Sequence, residues 1–332
     1  MSISLFLEQV LNGLQFGVML FLMSAGLTLV FGVMGLINLA HGSLYMIGAF
    51  SAAAIASWTG SFWLGLVASL MAAAIAGVIV EIVIIRRLYK RDHLDQVLAT
   101  FALILLFSEA MRWIFGAFPL FLDVPDILSG TLSLPLGIEY SKYRMMIIVV
   151  GILIAIGLFA LISRTRLGVR IRAGESDREM IAALGVDISK LYTLVFALGA
   201  ALAGLAGAMV GAIQSVEVGM GEPVLILAFV VIVIGGIGSI KGALIGAILV
   251  GPSEGINTWV SEIIWREFYN HILVEHPRIS MGQAFRRETD NLPWNQSTEL
   301  LESWQKGETG LPLVDAGMRQ LNTTGWMHNR LR

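Results

Sequence analysis

Long apolar blocks constrain this chain more than any other feature of its sequence. Stretches 6–31, 34–56, 62–85, 94–116, 144–162, 191–213 and 223–240, with a weaker one from 242 to about 258, approach or exceed the ~20 residues that a helix needs to cross a bilayer. Over the whole chain 56% of residues are hydrophobic and 14% are charged, against about 45–50% and roughly 25% in an ordinary soluble domain. A chain of 332 residues still exposes a large surface, and too few polar side chains remain to cover it in water. Lipid is the alternative solvent. The fold class expected is therefore all-α, a polytopic transmembrane bundle of about seven or eight spans with a polar, helical C-terminal fragment. The first block has no basic leader and no clear A-x-A site, and similar blocks follow it, so it reads as a span and not as a cleaved signal peptide. A net charge of -2 gives no global basic field for nucleic acid. The absence of cysteine excludes disulfides and thiolate metal sites, and no metal site is expected.

Basic residues collect in two connecting loops. Arg86, Arg87, Lys90 and Arg91 follow the third block, and Arg164, Arg166, Arg170 and Arg172 follow the fifth. The positive-inside rule assigns both loops to the cytoplasm. Two spans separate them, which is the parity that a shared side requires. Counting outward from these loops puts the N-terminus, the loop 117–143 and the loop 214–222 on the outer side. Glu81 and Glu109 lie toward the ends of their blocks. Carboxylates reaching out to the interface are the simpler expectation for both, with a bundle-facing role the alternative.

Small residues recur inside the blocks. Gly207 with Gly211 and Gly242 with Gly246 form G-x-x-x-G pairs, and Gly199, Ala203 and Gly207 form a stripe. Such stripes let helix backbones approach where no hydrophobic force draws them together; the alternative is backbone lining a substrate path. Gly235, Gly236 and Gly238 crowd three glycines into four residues. They predict a broken helix, which a membrane tolerates where protein or a cavity shields the freed backbone.

Between the fifth and sixth blocks, Ser176-Asp-Arg-Glu179 has the form of a capping box. Asp177 and Glu179 suit the positive end of a helix, and Gly185 suits a left-handed position just past its other end. A short helix over about 177–184 is predicted, either a solvated connector or an element that docks into a cytoplasmic partner. Asn38 and His41, at the start of the second block, are either satisfied helix-end groups or contacts for a transported solute. Residues 1–251 contain no G-x-x-x-x-G-K-[ST], H-E-x-x-H or G-x-S-x-G pattern. No enzyme activity is expected of them, and transport would draw its energy from another protein.

Three collinear stretches resemble a known family: NGLQFGVMLFLMSAGLTLVFGVMGLINLAHGSLYMIGAF (12–50), TRLGVRIRAGESDREMIAALGVDISKLYTLVFALGAALAGLAGAM (165–209) and GMGEPVLILAFVVIVIGGIGSIKGALIGAILVG (219–251). They resemble the LivH-type permeases of branched-chain amino-acid ABC transporters. The resemblance implies a multi-pass half-transporter of the bacterial inner membrane that moves branched-chain amino acids, related amides or urea. It implies four kinds of partner: a second permease subunit, two cytoplasmic ATPase subunits, a periplasmic substrate-binding protein and membrane lipid. It makes the helix carrying Ser176, Glu179, Ala183 and Gly185 the ATPase-coupling element. It sets Asn38 and His41 near the translocation path, where the broken helix at Gly235, Gly236 and Gly238 is expected to lie as well, and it implies no cofactor. Such permeases continue through one further span beyond the position of Gly251, and here that span is absent.

After Gly251 the composition changes. Arg266, Glu267, Arg286, Arg287, Glu288 and Asp290 crowd together, and five of the eight tryptophans (Trp259, Trp265, Trp294, Trp304 and Trp326) lie in this part. WVSEIIWREFYNHIL (259–273) and WQKGETGLPLVDAGMRQLNTTGWMHNRLR (304–332) resemble the FAD-binding domain of DNA photolyases and cryptochromes. By that resemblance Trp259, Glu262, Arg266, Trp326, Asn329 and Arg332 are flavin-site residues. Glu262 and Trp265 would face a flipped pyrimidine dimer, and Trp294 would be the outer member of an electron-transfer chain. Flipped-base chemistry needs a closed pocket with stacking walls, and about 80 residues supply only part of such a core. FAD is therefore expected only if the fragment is functional, and DNA is not expected as a partner. The domains expected are a membrane permease, 1–251, and a photolyase-like fragment, 252–332, an apparent chimera. That leaves three readings: a transporter subunit, a membrane-anchored flavin-dependent repair protein, and a chimera without function.

Overall fold

The computed structural model describes residues 3–89, 91–134, 138–236, 238–251, 277, 281 and 297–324. Two compact units divide the chain, Met1–Ser261 and Glu262–Arg332. Each is treated by itself.

The first unit is a helical bundle. α1 (Ile3–Met34) has 32 residues and so runs for about 48 Å, more than a ~30 Å hydrocarbon core requires. Gly35 ends it with a φ of 64° and donates its N–H to the Phe31 carbonyl at 2.8 Å. A left-handed residue of this kind turns the chain off the helix axis, and glycine takes that conformation without strain. The chain then folds back into the bundle. Leu36, Asn38 and Ala40 are buried, and α2 (His41–Thr59) starts beside Gly26, where an added Cβ would lie 3.0 Å from His41 Nε2. Gly26 is about 12 Å along α1 from Met34. The block expected to span from 34 thus begins as a helix at 41, inside the bundle and not at its rim.

α3 (Phe62–Val80) is capped by Ser61, whose hydroxyl accepts from Leu64 N–H. It runs on through a π-helical turn, Glu81–Ile85, into α4 (Arg86–Leu88). α5 (His93–Phe115) follows, then a 3-10 turn at Asp126–Leu128 and a small antiparallel hairpin of β1 (Thr131–Leu134) and β2 (Ile138–Ser141), with Leu132 opposite Tyr140. α6 (Lys142–Arg164), α7 (Arg166–Ser176), α8 (Arg178–Ala183) and α9 (Ile188–Gly211) complete the central part. α10 (Gly221–Gly235) and α11 (Ile240–Val250) close it.

Among the described residues five helices, Phe6–Met34, Phe62–Leu88, His93–Phe115, Lys142–Arg164 and Ile188–Gly211, are long and apolar enough to cross a membrane, and six if α10 and α11 count as one broken span. The chain is a multi-pass, all-α membrane protein. α5 and α6 carry rows of exposed apolar side chains, among them Leu98, Phe101, Leu105, Leu153 and Ile156, which suit contact with lipid tails. Of the two last spans expected from the sequence, 223–240 folds otherwise together with the described start of 242–258, whose residues 252–258 lie outside the described residues. Among the described residues they form helices of 15 and 11 residues bent by 119°, and at 1.5 Å per residue neither of these described lengths alone matches the ~30 Å hydrocarbon. The bend falls on the glycine cluster: Gly236 and Gly238 have φ of 86° and 79°. Ser239 restarts the helix by accepting from Gly242 N–H at 3.0 Å.

α9 is the centre, packed against α1, α2 and α3. The small-residue stripe provides close packing. A Cβ on Gly199 would lie 2.8 Å from the Gly26 carbonyl of α1, and one on Gly204 would lie 2.8 Å from the Ser69 carbonyl of α3. Gly48 of α2 meets Gly204 backbone to backbone, and Gly207 meets the Tyr45 carbonyl. Close approach of this kind is how membrane helices gain dispersion contacts without water to drive them together.

In the second unit, α12 (Thr298–Lys306) and α13 (Pro312–Thr324) pair as a helical hairpin. Asp315 organises the turn by accepting from Thr309 N–H at 2.8 Å, the Thr309 hydroxyl at 2.6 Å and Gly310 N–H at 3.0 Å. The Thr309 hydroxyl bond is the main reason that the Asp315 carboxyl sits below its ordinary value. A depressed carboxylate stabilises the fold above its unfolded value and loses that contribution as pH falls through the folded one. Proteolytic cleavage within 307–311 is accordingly expected to be equally slow at pH 8 and pH 5, and faster at both in Asp315→Ala.

Candidate functional site

Three features concentrate polar chemistry in the bundle. The first lies where α3 ends. Glu81, fully buried, accepts from Arg86 Nη2 at 2.9 Å and Nε at 3.1 Å, from the Tyr89 hydroxyl at 2.9 Å and from the Thr193 hydroxyl at 2.7 Å. Thr193 also accepts from Arg86 Nη2 at 2.8 Å. A carboxylate surrounded by four donors is well compensated for burial. The expectation that Glu81 reaches out to the interface is therefore wrong for this residue, which faces the bundle interior. Glu109 behaves as expected, exposed and paired with Arg112 at 2.9 Å. The π-turn explains Glu81. Wider winding puts residue i+5 over residue i, so Arg86 stacks on Glu81, and such turns are frequent at functional sites.

This network ties the segment after α3 to the second turn of α9, and the Tyr89 hydroxyl also approaches Met34 Sδ at the end of α1. One end of the bundle therefore gathers both basic loops. At the other end, Leu120 and Val216 pair in an isolated antiparallel bridge, which joins the loops 117–143 and 214–222. Both arrangements agree with the sidedness read from the basic residues.

The second feature is the connection between α6 and α9. α7 starts at a Thr165 cap and runs to Ser176, so Ser176 is helical and cannot be the cap expected of it. Asp177 takes that role with φ -150°, its carboxylate accepting from Met180 N–H at 2.9 Å. Glu179 and Ala183 lie in α8. Gly185, φ 84°, ends α8 as expected, with Gly185 N–H donating to the Ala182 carbonyl at 3.0 Å and Val186 N–H to the Ile181 carbonyl at 3.3 Å. That is the double bond pattern of a glycine-terminated helix. Ile181 is buried, whereas Met180 is 60% and Leu184 75% exposed. Two large apolar side chains thus stand in the open on a single capped turn beside the basic loops. Asp187 then caps α9 through Lys190 N–H at 3.1 Å. That bond, with the Lys190 ammonium, holds the Asp187 carboxyl below its ordinary value.

The third feature is polar and internal. Asn38 and His41 are fully buried and Tyr45 nearly so, and they follow one another at helical spacing where α2 begins. Among the described residues, the Asn38 amide, both His41 ring nitrogens and the Tyr45 hydroxyl have no hydrogen-bond partner; the Met23 carbonyl faces His41 without meeting hydrogen-bond geometry. The satisfied helix-end reading of Asn38 and His41 therefore does not hold. Orphaned polar groups cost about 1–3 kcal/mol each, and here several stand together. Beside them Gly42 meets the Gly221 carbonyl, bringing the starts of α2 and α10 together. Gly235, Gly236 and Gly238 lie apart from this group, at the α10–α11 bend.

Sequence comparison identifies the bundle. Residues 9–273 match the family described as branched-chain amino acid transport system / permease component. The chain belongs to that family. The permease is 33% identical to the high-affinity branched-chain amino acid transport system permease protein BraD of Pseudomonas aeruginosa, over 75% of this chain and 85% of the relative. It is 28% identical to the corresponding LivH protein of Salmonella typhimurium, over 76% of this chain and 86% of that one. Residues 259–332 match the FAD binding domain of DNA photolyase. Over 82 residues the permease chain is 53% identical to the deoxyribodipyrimidine photo-lyase of Salmonella typhimurium, covering 25% of this chain but 17% of that enzyme. Over 76 residues it is 51% identical to the Escherichia coli enzyme, covering 16% of it. The chain is a chimera of a permease and a photolyase fragment. No solved structure matches it.

The expected flavin-site residues Trp259, Glu262, Arg266, Trp326, Asn329 and Arg332, with Trp265 and Trp294, lie outside the described residues. The hairpin α12–α13, whose turn and second helix fall inside the second photolyase-like motif, is described.

Proposed function

We propose that residues 1–251 work as one permease half of an ABC-type importer for branched-chain amino acids or related amides and urea, in a bacterial inner membrane. Its partners in this reading are a second permease, two cytoplasmic ATPases and a periplasmic binding protein. α8 carries the proposal. A turn capped at both ends, anchored by Ile181 and displaying Met180 and Leu184, has the form of a helix that inserts an apolar tip into a groove on a partner. Ser176, Glu179, Ala183 and Gly185 would form this coupling element, and the Glu81 network would brace its base. Asn38 and His41 would contact the solute along the path, with Gly235, Gly236 and Gly238 providing the bend that makes room for it. No catalytic residue is assigned, and hydrolysis of ATP would occur on the partners.

Met180→Asp with Leu184→Asp tests the coupling role. Both positions are exposed, so insertion and yield are expected to match the wild type. Leucine uptake with the partner subunits is expected to fall at least tenfold, and copurification of the ATPases to be lost. Wild-type uptake by the double variant would refute the docking role.

For the tail, residues 252–332 are read as a fragment without its own flavin chemistry, since the chain spans 17% of the photolyase and a flavin pocket needs walls from much more of it. Purified full-length protein is expected to be colourless and to stay so after incubation with FAD. Yellow protein with stoichiometric flavin would contradict this.

A further inference from the structure

Two adjoining cavities lie between α1, α6 and α11, and they differ in chemistry. One, of about 180 Å³, opens at the basic end of the bundle and is lined in part by Thr28, Ser163, Arg172, Ser239 and Lys241. The other, of about 420 Å³, continues toward the bundle middle between apolar side chains such as Leu14, Val18, Ile152, Ala155, Leu244 and Ile248. Phe159, Ile240 and Lys241 line both, so they form one trough with a polar head and an apolar tail.

The head carries more positive charge than the protein balances. Lys241 Nζ lies 4.9 Å from the centre of the Phe159 ring, and no carboxylate pairs with it among the described residues. Arg172 donates one guanidinium N–H to the Ile162 carbonyl, which leaves most of its five donors free. The Thr28 hydroxyl is buried without a partner. The tail runs beside α6 from Phe159 to Ile152, about 10 Å, a length suited to part of an acyl chain in one leaflet. Cations at the headgroup level with an apolar furrow beneath them match a lipid with an anionic head, and basic pockets between helices on the cytoplasmic side are suited to such lipids.

We propose that this trough is a specific site for one anionic phospholipid of the cytoplasmic leaflet, its phosphate between Arg172 and Lys241 and one acyl chain along Ala155 and Ile248. The leaflet rests on the sidedness read from the basic loops; the site itself does not depend on the transport reading.

Full-length protein in detergent, titrated with phosphatidylglycerol and with phosphatidylcholine and read by native mass spectrometry, tests the site. Phosphatidylglycerol is expected to be retained in preference, one molecule at the lowest concentrations. Arg172→Gln with Lys241→Gln is expected to weaken it about 30-fold, near fivefold per cation, with phosphatidylcholine unaffected. Lys190→Gln, which removes a positive charge elsewhere, is expected to change nothing. Ala155→Phe, which fills the furrow and leaves both cations in place, is expected to weaken phosphatidylglycerol as well. Glycerol phosphate without acyl chains is expected not to bind. Equal retention of the two lipids, unchanged affinity in the double variant, unchanged affinity in Ala155→Phe, or tight binding of glycerol phosphate would each overturn the proposal.

Discussion

Gly204→Leu is expected to abolish recovery of monodisperse protein. Gly204 is wedged between two helices: its Cβ would overlap Ala73 and come within 2.8 Å of the Ser69 carbonyl, while Gly48 crosses it on the other side. Overpacking in a core costs typically 1–3 kcal/mol, and here the obstructing atoms are backbone and the Cβ of Ala73, which cannot turn aside as a longer side chain can. A loss beyond about 3 kcal/mol is a large share of the 5–15 kcal/mol that holds a domain together. Gly157→Leu is the control, because a Cβ there meets nothing within 4 Å. Size-exclusion profiles in detergent separate the two: aggregation or loss of protein for Gly204→Leu, a wild-type peak for Gly157→Leu. A normal peak for Gly204→Leu would mean that α9 is not packed at the centre as described.

Glu81→Leu is expected to be the second most damaging change. The leucine fills similar space but accepts no hydrogen bond, which strands the Tyr89 hydroxyl at roughly 1–3 kcal/mol and leaves the Arg86 charge without its counterion, while the Thr193 hydroxyl keeps the Ser189 carbonyl as its acceptor at 2.9 Å. Glu81→Gln keeps an acceptor for part of the network and is expected to be milder. Thermal unfolding in detergent orders them, with Glu81→Leu melting several degrees lowest. A Glu81→Leu protein as stable as the wild type would sink the bracing role assigned to this network.

What the sequence disclosed and what it hid divide along physical lines. Apolar length is written in composition, so α1, α3, α5, α6 and α9 were legible, and so was the small-residue face of α9. Gly185 was legible because a left-handed helix end favours one residue type. Asp177, one residue after the expected Ser176 cap, was missed because both residues have capping side chains and only the backbone angle separates them. Glu81 was misread because its partner is five residues away, a spacing that faces apart on an α-helix and together only on a π-turn. The interior start of α2 and the bent pair α10–α11 depend on contacts such as Gly42 with Gly221 and Gly235 with Gly242, which no local pattern reveals. Exposed Met180 and Leu184 carried no signal of their own, since apolar residues in a helix usually point inward.

The absence of cysteine makes the central claim directly measurable. Single cysteines at Ala183 and at Ser129, each exposed in the structure, are introduced into otherwise wild-type protein and labelled in intact cells with a membrane-impermeant maleimide. A multi-pass permease with its coupling helix facing the cytoplasm predicts labelling of Ser129→Cys in intact cells and of Ala183→Cys only after the membrane is opened, with bound ATPase protecting Ala183→Cys. Labelling of both from the same side would contradict that account.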